Sequence, residues 1–317
     1  MSPTTPIRYV ATDEIRRALT MPGAIRAVAD ALVQLSTGRA LVPPRTSLEI
    51  PGLRTTALVM PVYLPGPKRI GLKLISLCED NPAKGLPLAQ AIIIVMDAER
   101  GTPLAVLEAG HLTAVRTGAA SGAATDALAR RDARVAAVFG AGVQGRTQLE
   151  AIAAVRPLSK AFVVDTDRRA ASAFAEEMGR ALALDVEPAD SSTALREADV
   201  ISTATTSTGP VFRDGDLKAG VHINAVGSYK PHVREVPGET IRRAGLFVDD
   251  RKAALEEAGD IIIPLREGLI DESHIRAEVG EVLAGLKPGR RSDDEITVFK
   301  SVGNAVEDLA VAALVLG

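Results

Sequence analysis

The amino-acid sequence predicts an α/β protein in two domains, one a doubly wound parallel sheet and the other an α+β domain. Its 317 residues exceed what one hydrophobic core usually serves, which favours two domains. After residue 134, short apolar runs alternate with helical segments, as in a parallel sheet covered by helices on both faces. Residues 43–110 instead hold short runs rich in Val and Ile between turn clusters, which predicts a separate β-rich region.

The first domain begins with two predicted helices and continues into strands. ATDEIRRAL and GAIRAVADALVQLSTG carry an apolar residue at every third or fourth position, and a glycine ends the second segment. Strands are then predicted from three apolar runs, TTALVMPVYL, IGLKLISL and AQAIIIVMDA. The following segment, HLTAVRTGAASGAATDALAR, has a helical pattern and is rich in small residues.

The second domain is predicted from a strand–helix rhythm. Strands are expected at ARVAAVF, KAFVVD, ADVISTATT, VHINAVGS and GLFVDD, with helices at VQGRTQLEAIAAV and RRAASAFAEEMGRAL. The last segment, EITVFKSVGNAVEDLAVAALVLG, predicts a short strand and an apolar helix similar in character to the first block. We therefore expect the chain to return to its first domain, with residues 1–115 and 296–317 in that domain and 116–295 in the other.

A glycine-rich turn follows the first strand of the second domain, in VAAVFGAGVQG. Gly140 permits a tight turn, Gly142 lets backbone approach a pyrophosphate, and Gly145 lets the helix pack close to the sheet. The helix N-terminus offers unpaired N–H groups and a positive dipole end to the phosphates. This turn predicts a Rossmann-type dinucleotide site.

Asp165 stands at the tip of the next predicted strand and bears on the choice of cofactor. A carboxylate there accepts hydrogen bonds from the ribose hydroxyls and repels a 2′-phosphate, so NAD(H) is favoured. Arg168 and Arg169 follow closely and could reach a 2′-phosphate, so NADP(H) stays open. The alternative for both arginines is a solvated helix start.

Three cations of the first domain are candidates for binding an anionic substrate. Arg45 follows two prolines, Lys73 lies inside the apolar run IGLKLISL, and Arg116 lies among small residues in LTAVRTGAA. A charge buried in an apolar strand requires an anionic partner, which we expect for Lys73. Arginine presents a planar fork suited to a carboxylate. The alternative is an outward-facing Lys73 and two surface arginines.

Composition argues against several other classes. The net charge of −3 comes without a basic stripe, which speaks against nucleic-acid binding. Cys78 is the single cysteine, which excludes an intrachain disulfide and fits a cytoplasmic setting. The N-terminal residues lack the pattern of a secretory signal, and no apolar run is long enough for a membrane span. The four histidines and the acidic pairs lack metal-ligand spacing, so we expect no metal.

The chain resembles the ornithine cyclodeaminase/μ-crystallin family. The similarity rests on PPRTSL, GLKLIS, KGLPLAQAIIIVMDAERGTPLAVLEAGHLTAVRTGAAS, VFGAGVQGRTQLEA, HINAVGS and FKSVGNAVEDLA, which occur in this order over nearly the whole chain. The pair LTAVRTGAAS and GAGVQG is more specific than GAGVQG alone. The resemblance implies a homodimer in which a domain made from both chain ends binds substrate and forms the dimer interface.

The resemblance also implies roles for individual residues. Arg45, Lys73 and Arg116 match residues that hold the α-carboxylate of the substrate, and Arg116 matches a residue beside the cofactor. The positions that match cofactor contacts are Gly140, Gly142, Val143, Gln144, Gly145, Asp165, Thr205, Val226 and Ser301. Thr205 and Val226 match strand ends beneath the nicotinamide.

Two departures from the cyclodeaminases bear on the reaction. Tyr229 stands where cyclodeaminases carry a proposed acid/base aspartate, and tyrosine is a weak base with an ordinary pKa of about 10. Leu58 stands where they hold the terminal ammonium of the substrate with a glutamate. A buried ammonium without a counter-charge is strongly disfavoured. Both departures argue against ornithine deamination.

We therefore expect an NAD(P)H-dependent ketimine reductase. Its substrate would be a cyclic α-imino acid, either Δ1-pyrroline-2-carboxylate or Δ1-piperideine-2-carboxylate, which is reduced to the cyclic amino acid. Lys73, Tyr229 or water could donate the proton. The alternatives are an ornithine cyclodeaminase, an alanine-dehydrogenase-like enzyme, and a cofactor-dependent ligand-binding protein similar to μ-crystallin. The three cations favour turnover over binding alone.

Overall fold

The computed structural model describes residues 6–317. Residues 1–5, which belong to the predicted first domain and to the segment without a secretory pattern, lie outside this range. The chain divides into two units. The first unit runs to Arg116 and includes Asn304–Gly317, and the second unit is Thr117–Gly303.

The first unit is built on a six-stranded mixed sheet with the strand order β1-β6-β5-β4-β3-β2. Neighbouring strands are antiparallel except for β1 and β6, which are parallel. The strands are β1 (Arg8–Val10), β2 (Thr46–Ile50), β3 (Thr55–Leu64), β4 (Arg69–Cys78), β5 (Ala89–Asp97) and β6 (Pro103–Glu108). The helices are α1 (Thr12–Ala18), α2 (Met21–Ser36), the first part of α3 (Gly110–Leu128), and α11 (Ala305–Leu316).

Helix α11 covers the inner face of this sheet, where it contacts α2, β3 and β4. The close approach depends on Gly71, because a Cβ atom there would lie 3.0 Å from the Leu309 side chain. Lys73 lies two residues further along β4 and therefore points to the same inner face. The apolar strand β4 thus places the Lys73 side chain against α11.

The opposite face of the sheet, which we call the outer face, is apolar as well. Leu74 on β4 is paired in register with Val59 on β3 and Ile92 on β5. Leu74 is 43% exposed, and Ile92, Ile70 and Leu48 also belong to the exposed large apolar side chains. The outer face therefore presents a contiguous apolar surface.

The second unit contains an eight-stranded sheet in which every strand pair is parallel. Its order is β13-β12-β14-β11-β10-β7-β8-β9. The strands are β7 (Val135–Phe139), β8 (Lys160–Val164), β9 (Asp185–Pro188), β10 (Val200–Thr203), β11 (His222–Ala225), β12 (Gly245–Val248), β13 (Ile275–Glu278) and β14 (Thr297–Lys300). The helices are the rest of α3 with α4 (Val143–Val155), α5 (Arg168–Leu182), α6 (Ser191–Glu197), α7 (Gly238–Arg243), α8 (Arg251–Glu257), α9 (Gly259–Arg266) and α10 (Val279–Leu283).

This sheet confirms the predicted doubly wound α/β fold. From β7 the chain builds outward through β8 and β9 on one side, and β10 and β11 lie on the other. The order therefore reverses between β7 and β10. In doubly wound sheets, ligands bind at the carboxyl ends of the strands beside such a reversal.

The structure shifts the boundary that the sequence predicts near the C-terminus. Strand β14 is the predicted short strand, but it pairs with β11 and β12 in the middle of the parallel sheet. Val298 and Phe299 are fully buried there, so the strand is part of the second core. The chain returns to the first unit at Asn304, rather than at 296 as predicted.

The sequence patterns do not single out the edge strands β1, β2, β9 and β13, nor β6. Edge strands are short and bury only part of their side chains, so a long apolar run does not mark them. Of the helices within residues 6–317, none has both the length and the apolar character needed to cross a membrane.

Candidate active site

The glycine-rich turn lies at the carboxyl end of β7, beside the reversal of strand order. Gly140 has φ of +103°, and a Cβ atom there would lie 2.5 Å from the carbonyl oxygen of Ala204. A Cβ atom on Gly145 would lie 2.0 Å from the carbonyl oxygen of Gly140. Gly142 differs, because its Cβ atom would meet nothing within 4 Å. Side chains are therefore excluded by packing at two glycines, while the third borders open space that suits a pyrophosphate.

Val143 and Gln144 form the first turn of α4, for which Gly142 is the N-cap. Val143 is 67% exposed although it is apolar. The first N–H groups of a helix have no partner within the helix and carry the positive end of its dipole. These predicted residues thus surround a place where an anion would be stabilised.

Asp165 follows β8 and binds the glycine-rich turn directly. The Ala141 N–H donates to Asp165 Oδ2 at 2.7 Å, and the Asp167 N–H donates to Asp165 Oδ1 at 2.8 Å. Arg168 and Arg169 lie exposed on the first turn of α5, in keeping with the alternative of a solvated helix start. The acid expected to hold the ribose thus lies at the predicted turn.

Arg146 is a further residue of this turn that the sequence reasoning does not identify. Its guanidinium donates to the carbonyl oxygens of Ala141 (2.5 Å) and Gly142 (3.2 Å). The same group pairs with Glu177 at 2.8 Å and lies 5.2 Å from the ring centroid of Phe174. Arg146 therefore fixes two carbonyl groups of the turn.

The two predicted strand-end residues, Thr205 and Val226, follow the adjacent strands β10 and β11. The Val226 N–H donates to the carbonyl oxygen of Thr203 at 3.0 Å, which links the two strand ends. Both the N–H and the hydroxyl of Thr205 donate to Glu235 Oε1, each at 2.7 Å. Glu235 is fully buried and is another residue that sequence reasoning does not identify.

Ser301, the predicted cofactor contact after β14, donates its hydroxyl to Asp249 Oδ2 at 2.8 Å. The same carboxylate oxygen accepts the N–H groups of Val302 (2.9 Å) and Gly303 (2.8 Å). Burial raises the pKa of Asp249, and these donors oppose the rise. Asp249 therefore holds the loop that carries Ser301 in a fixed conformation.

Two of the three predicted cations are brought together in the first unit. Lys73 Nζ lies 2.9 Å from Asp308 Oδ1, and Arg116 Nε lies 3.1 Å from the same atom. Arg116 Nη1 also lies 2.7 Å from Glu307 Oε2. Arg45 is half-buried immediately before β2. The expected anionic partner of Lys73 is therefore Asp308.

Glu307 and Asp308 lie in the first turn of α11 and are buried. Asn304 caps this helix in a capping box, in which its backbone N–H donates to the Glu307 side chain at 3.2 Å. Negative side chains are favoured at a helix N-terminus by the dipole. Burial lowers the pKa of Lys73, and the charge of Asp308 opposes that shift.

The two departures from the cyclodeaminases also have defined places. Leu58 on β3 pairs in register with Ile75 and therefore shares the inner face of the sheet with Lys73. Tyr229 is 42% exposed in the loop after β11, with Lys230 Nζ 5.9 Å from its ring centroid. Throughout residues 6–317, no group of three or more His, Cys, Asp or Glu side chains is arranged to hold a metal ion.

Comparisons with known proteins cover nearly the whole chain. The model of the ornithine cyclodeaminase/mu-crystallin family matches residues 9–316. A Δ1-pyrroline-2-carboxylate reductase of Bacillus cereus is 41% identical over 308 residues, covering 96% of this chain and 94% of that protein. The Thermococcus litoralis Δ1-pyrroline-2-carboxylate reductase, solved with NADH and L-proline, has a TM-score of 0.94 and 42% identity, covering 98% of this chain and 96% of that one. An archaeal alanine dehydrogenase dimer with bound NAD has a TM-score of 0.92 and 35% identity, covering 98% and 94% of the two chains.

Proposed function

We propose that this chain, which belongs to the ornithine cyclodeaminase/mu-crystallin family, reduces a cyclic α-imino acid with NAD(P)H. It is an oxidoreductase acting on C=N bonds, and Δ1-pyrroline-2-carboxylate is its foremost substrate, with Δ1-piperideine-2-carboxylate as the larger-ring candidate. One observation carries the proposal. Lys73, Arg116 and Asp308 form a cluster at the inner face of the six-stranded sheet. The same face carries Leu58 at the position where a cyclodeaminase needs an acid.

The side chains of this cluster suit a substrate with one carboxylate and no free ammonium. Glu307 and Asp308 are already engaged by Arg116 and Lys73, and Leu58 gives the same sheet face an apolar side chain. A cyclic α-imino acid with a neutral ring nitrogen needs no further acid. Arg45 and Arg116 would bind its carboxylate through their planar forks, and Lys73 would orient it.

The cofactor residues fit a dinucleotide because the space beside Gly142 is open while Gly140 and Gly145 close the turn. Gly140, Gly142, Val143, Gln144 and Gly145 would hold the pyrophosphate. Asp165 would hold the ribose hydroxyls, and Thr205, Val226 and Ser301 would flank the nicotinamide. When bound, NADH supplies the hydride that C2 of the imine accepts.

Reduction also requires a proton on the imine nitrogen. Lys73 is our first candidate for the donor, because burial lowers its pKa and so weakens its hold on the proton. Water and Tyr229 are the other candidates. Fixing the substrate by its carboxylate supplies much of the rate, because the two reactants are then held at contact distance.

The reaction is tested by following the absorbance of NADH and of NADPH with each of the two imino acids. We expect rapid oxidation of the reduced nucleotide, and K73M should lose at least about a hundredfold in kcat. K68M is the matched control, because Lys68 is an exposed cation that pairs with Glu99. Release of ammonia and proline from ornithine instead would contradict the proposal, as would reaction only with an open-chain amino acid.

The proposal includes a homodimer formed through the outer face of the six-stranded sheet. The occupant of that face would be a second copy of this chain, because an exposed apolar surface of this kind marks an interface and because a solved relative is a dimer.

A cytoplasmic setting and a role in proline metabolism complete the proposal. The lone Cys78 fits a reducing compartment.

A further inference from the structure

We infer that Glu235 holds a buried negative charge beneath the nicotinamide half of the cofactor site and thereby favours binding of the oxidised nucleotide over the reduced one. The inference rests on the proposed cofactor. It concerns a residue outside the predicted site, and it assigns that residue a positioning and electrostatic role.

The topology of the second unit locates the two halves of the cofactor. Asp165 at the end of β8 marks the adenosine side of the reversal in strand order. A dinucleotide that crosses the reversal would therefore have its nicotinamide near the ends of β10 and β11. Glu235 binds the ends of these two strands.

Four donors converge on the Glu235 carboxylate. Oε1 accepts the N–H and the hydroxyl of Thr205, each at 2.7 Å. Oε2 accepts the Thr203 hydroxyl at 2.9 Å and the Gly227 N–H at 2.8 Å. A Cβ atom on residue 227 would lie 2.5 Å from both carboxylate oxygens, so glycine is required there for the carboxylate to fit. One side chain thus fixes the loops that follow both strands.

This hydrogen-bonding pattern suits an ionised carboxylate. The N–H groups of Thr205 and Gly227 can only donate, and each occupies a different oxygen. Each carboxylate oxygen accepts one backbone N–H and one threonine hydroxyl, so a proton on either oxygen would take the place of a threonine hydroxyl hydrogen. Burial and the nearby Asp260 raise the pKa of Glu235 above its ordinary value, and Lys300 and the Thr205 donors oppose the rise without cancelling it.

The surrounding buried groups compensate the charge of Glu235 only in part. Asp260 Oδ1 accepts the N–H of Glu235 (2.7 Å) and that of Val236 (2.9 Å). Asp260 Oδ2 lies 3.0 Å from Lys300 Nζ, an ion pair without hydrogen-bond alignment. Lys300 also donates to the carbonyl oxygens of Ala225 and Ser228. Two carboxylates and one ammonium give this group a net charge of −1, and the ammonium is paired with Asp260.

A negative charge below the ring acts differently on the two redox states of the cofactor. The nicotinamide ring is positively charged when oxidised and neutral when reduced. In a buried environment, a unit charge at several ångströms contributes on the order of a tenfold difference in binding. The same field assists hydride departure, because the ring gains positive charge as the hydride leaves.

The test measures dissociation constants of NAD⁺, NADH and ADP-ribose by calorimetry for the wild type, E235Q and T203V. For E235Q, we expect NAD⁺ binding to weaken about tenfold relative to NADH binding, with ADP-ribose binding unchanged. T203V removes one donor but keeps the charge, so its ratio of the two dissociation constants should stay at the wild-type value. Equal weakening of NAD⁺ and NADH in E235Q would show a merely structural role and overturn the inference.

Two further measurements keep the inference falsifiable if E235Q does not fold. The wild type should bind NAD⁺ at least as tightly as NADH, and the reverse order would overturn it. E235D keeps the negative charge, so the ratio of its dissociation constants for NAD⁺ and NADH should stay at the wild-type value even if both affinities fall. A shifted ratio in E235D would count against the inference. A wild-type protein that binds neither nucleotide would instead reject the proposed cofactor, and with it this inference.

Discussion

Asp308 is the residue on which the charge of Lys73 depends. Burial lowers the pKa of Lys73 and the Asp308 carboxylate raises it, so removal of that carboxylate should lower the pKa further. In D308N, the protonated form of Lys73 is then lost at a lower pH. We expect the basic limb of the kcat/KM profile to move to lower pH, as measured with NADH and the imino acid.

The matched control for this prediction is D97N. Asp97 lies on β5 of the same sheet and pairs with Arg69 rather than with Lys73. The pH profile of kcat/KM for D97N should keep the basic limb of the wild type. An unshifted limb in D308N would show that Lys73 does not set the pH dependence.

Asp165 is the residue expected to decide between NADH and NADPH. A carboxylate at this position would repel a 2′-phosphate, and its loss would remove that repulsion. We expect D165S to lower the ratio of kcat/KM for NADH to that for NADPH by at least about tenfold. D167S is the control, because serine also caps helices and Asp167 is the N-cap of α5. An unchanged ratio in D165S would assign cofactor choice to other residues.

At the residue scale, the sequence predicts local features and misses distant partners. The glycine-rich turn and the position of Asp165 beside it are readable because they depend on spacing within a short segment. The need of Lys73 for an anion is also readable, but Asp308 lies 235 residues away in the chain. Glu235 is missed for the same reason, since its four donors come from the end of β10 and from the loops after β10 and β11, which only the folded sheet brings together.

At the scale of the strand–turn–helix element, we expect Gly145 to be required for stability and Gly142 for binding the nucleotide. G145A introduces a Cβ atom 2.0 Å from the Gly140 carbonyl oxygen, so we expect the free energy of unfolding to fall by about 3 kcal/mol. G142A meets no atom within 4 Å and should cost about 1 kcal/mol or less. Its methyl group would occupy the pyrophosphate space, so NADH affinity should fall at least about tenfold.

Thermal unfolding and NADH titration of the two variants check this prediction. G142A should melt near the wild type and bind NADH weakly, whereas G145A should melt at a clearly lower temperature. Wild-type NADH affinity in G142A would place the pyrophosphate elsewhere.

Element prediction succeeds where strands are buried on both faces and weakens where they are not. Central strands such as β7 and β8 are continuous apolar runs, which the sequence marks clearly. The edge strands β1, β2 and β9 carry exposed side chains, and the edge strand β13 carries two partly buried polar ones, so none of the four gives such a signal. Strand β14 is predicted as an element, but its partners are not, because pairing between distant strands leaves no trace in local pattern.

At the scale of the whole molecule, the outer face should determine the oligomeric state. L74D places a charge in the centre of this apolar surface, where burial against a second copy would be costly. We expect L74D to be monomeric and the wild type dimeric in analytical ultracentrifugation. L286D is the control, because Leu286 is 62% exposed in a loop outside this sheet and should leave the dimer intact. A dimeric L74D would place the interface elsewhere.

The position of β14 has a consequence for how the protein is made. This strand is inserted between β11 and β12, yet it is synthesised after both of them and after β13. Helix α11, which carries Glu307 and Asp308, follows it directly. A nascent chain therefore cannot complete its parallel sheet, or pair Lys73 with Asp308, until β14 and α11 have left the ribosome. Chains that stop before β14 expose an unfilled slot in the parallel sheet, which makes them candidates for chaperone capture and degradation.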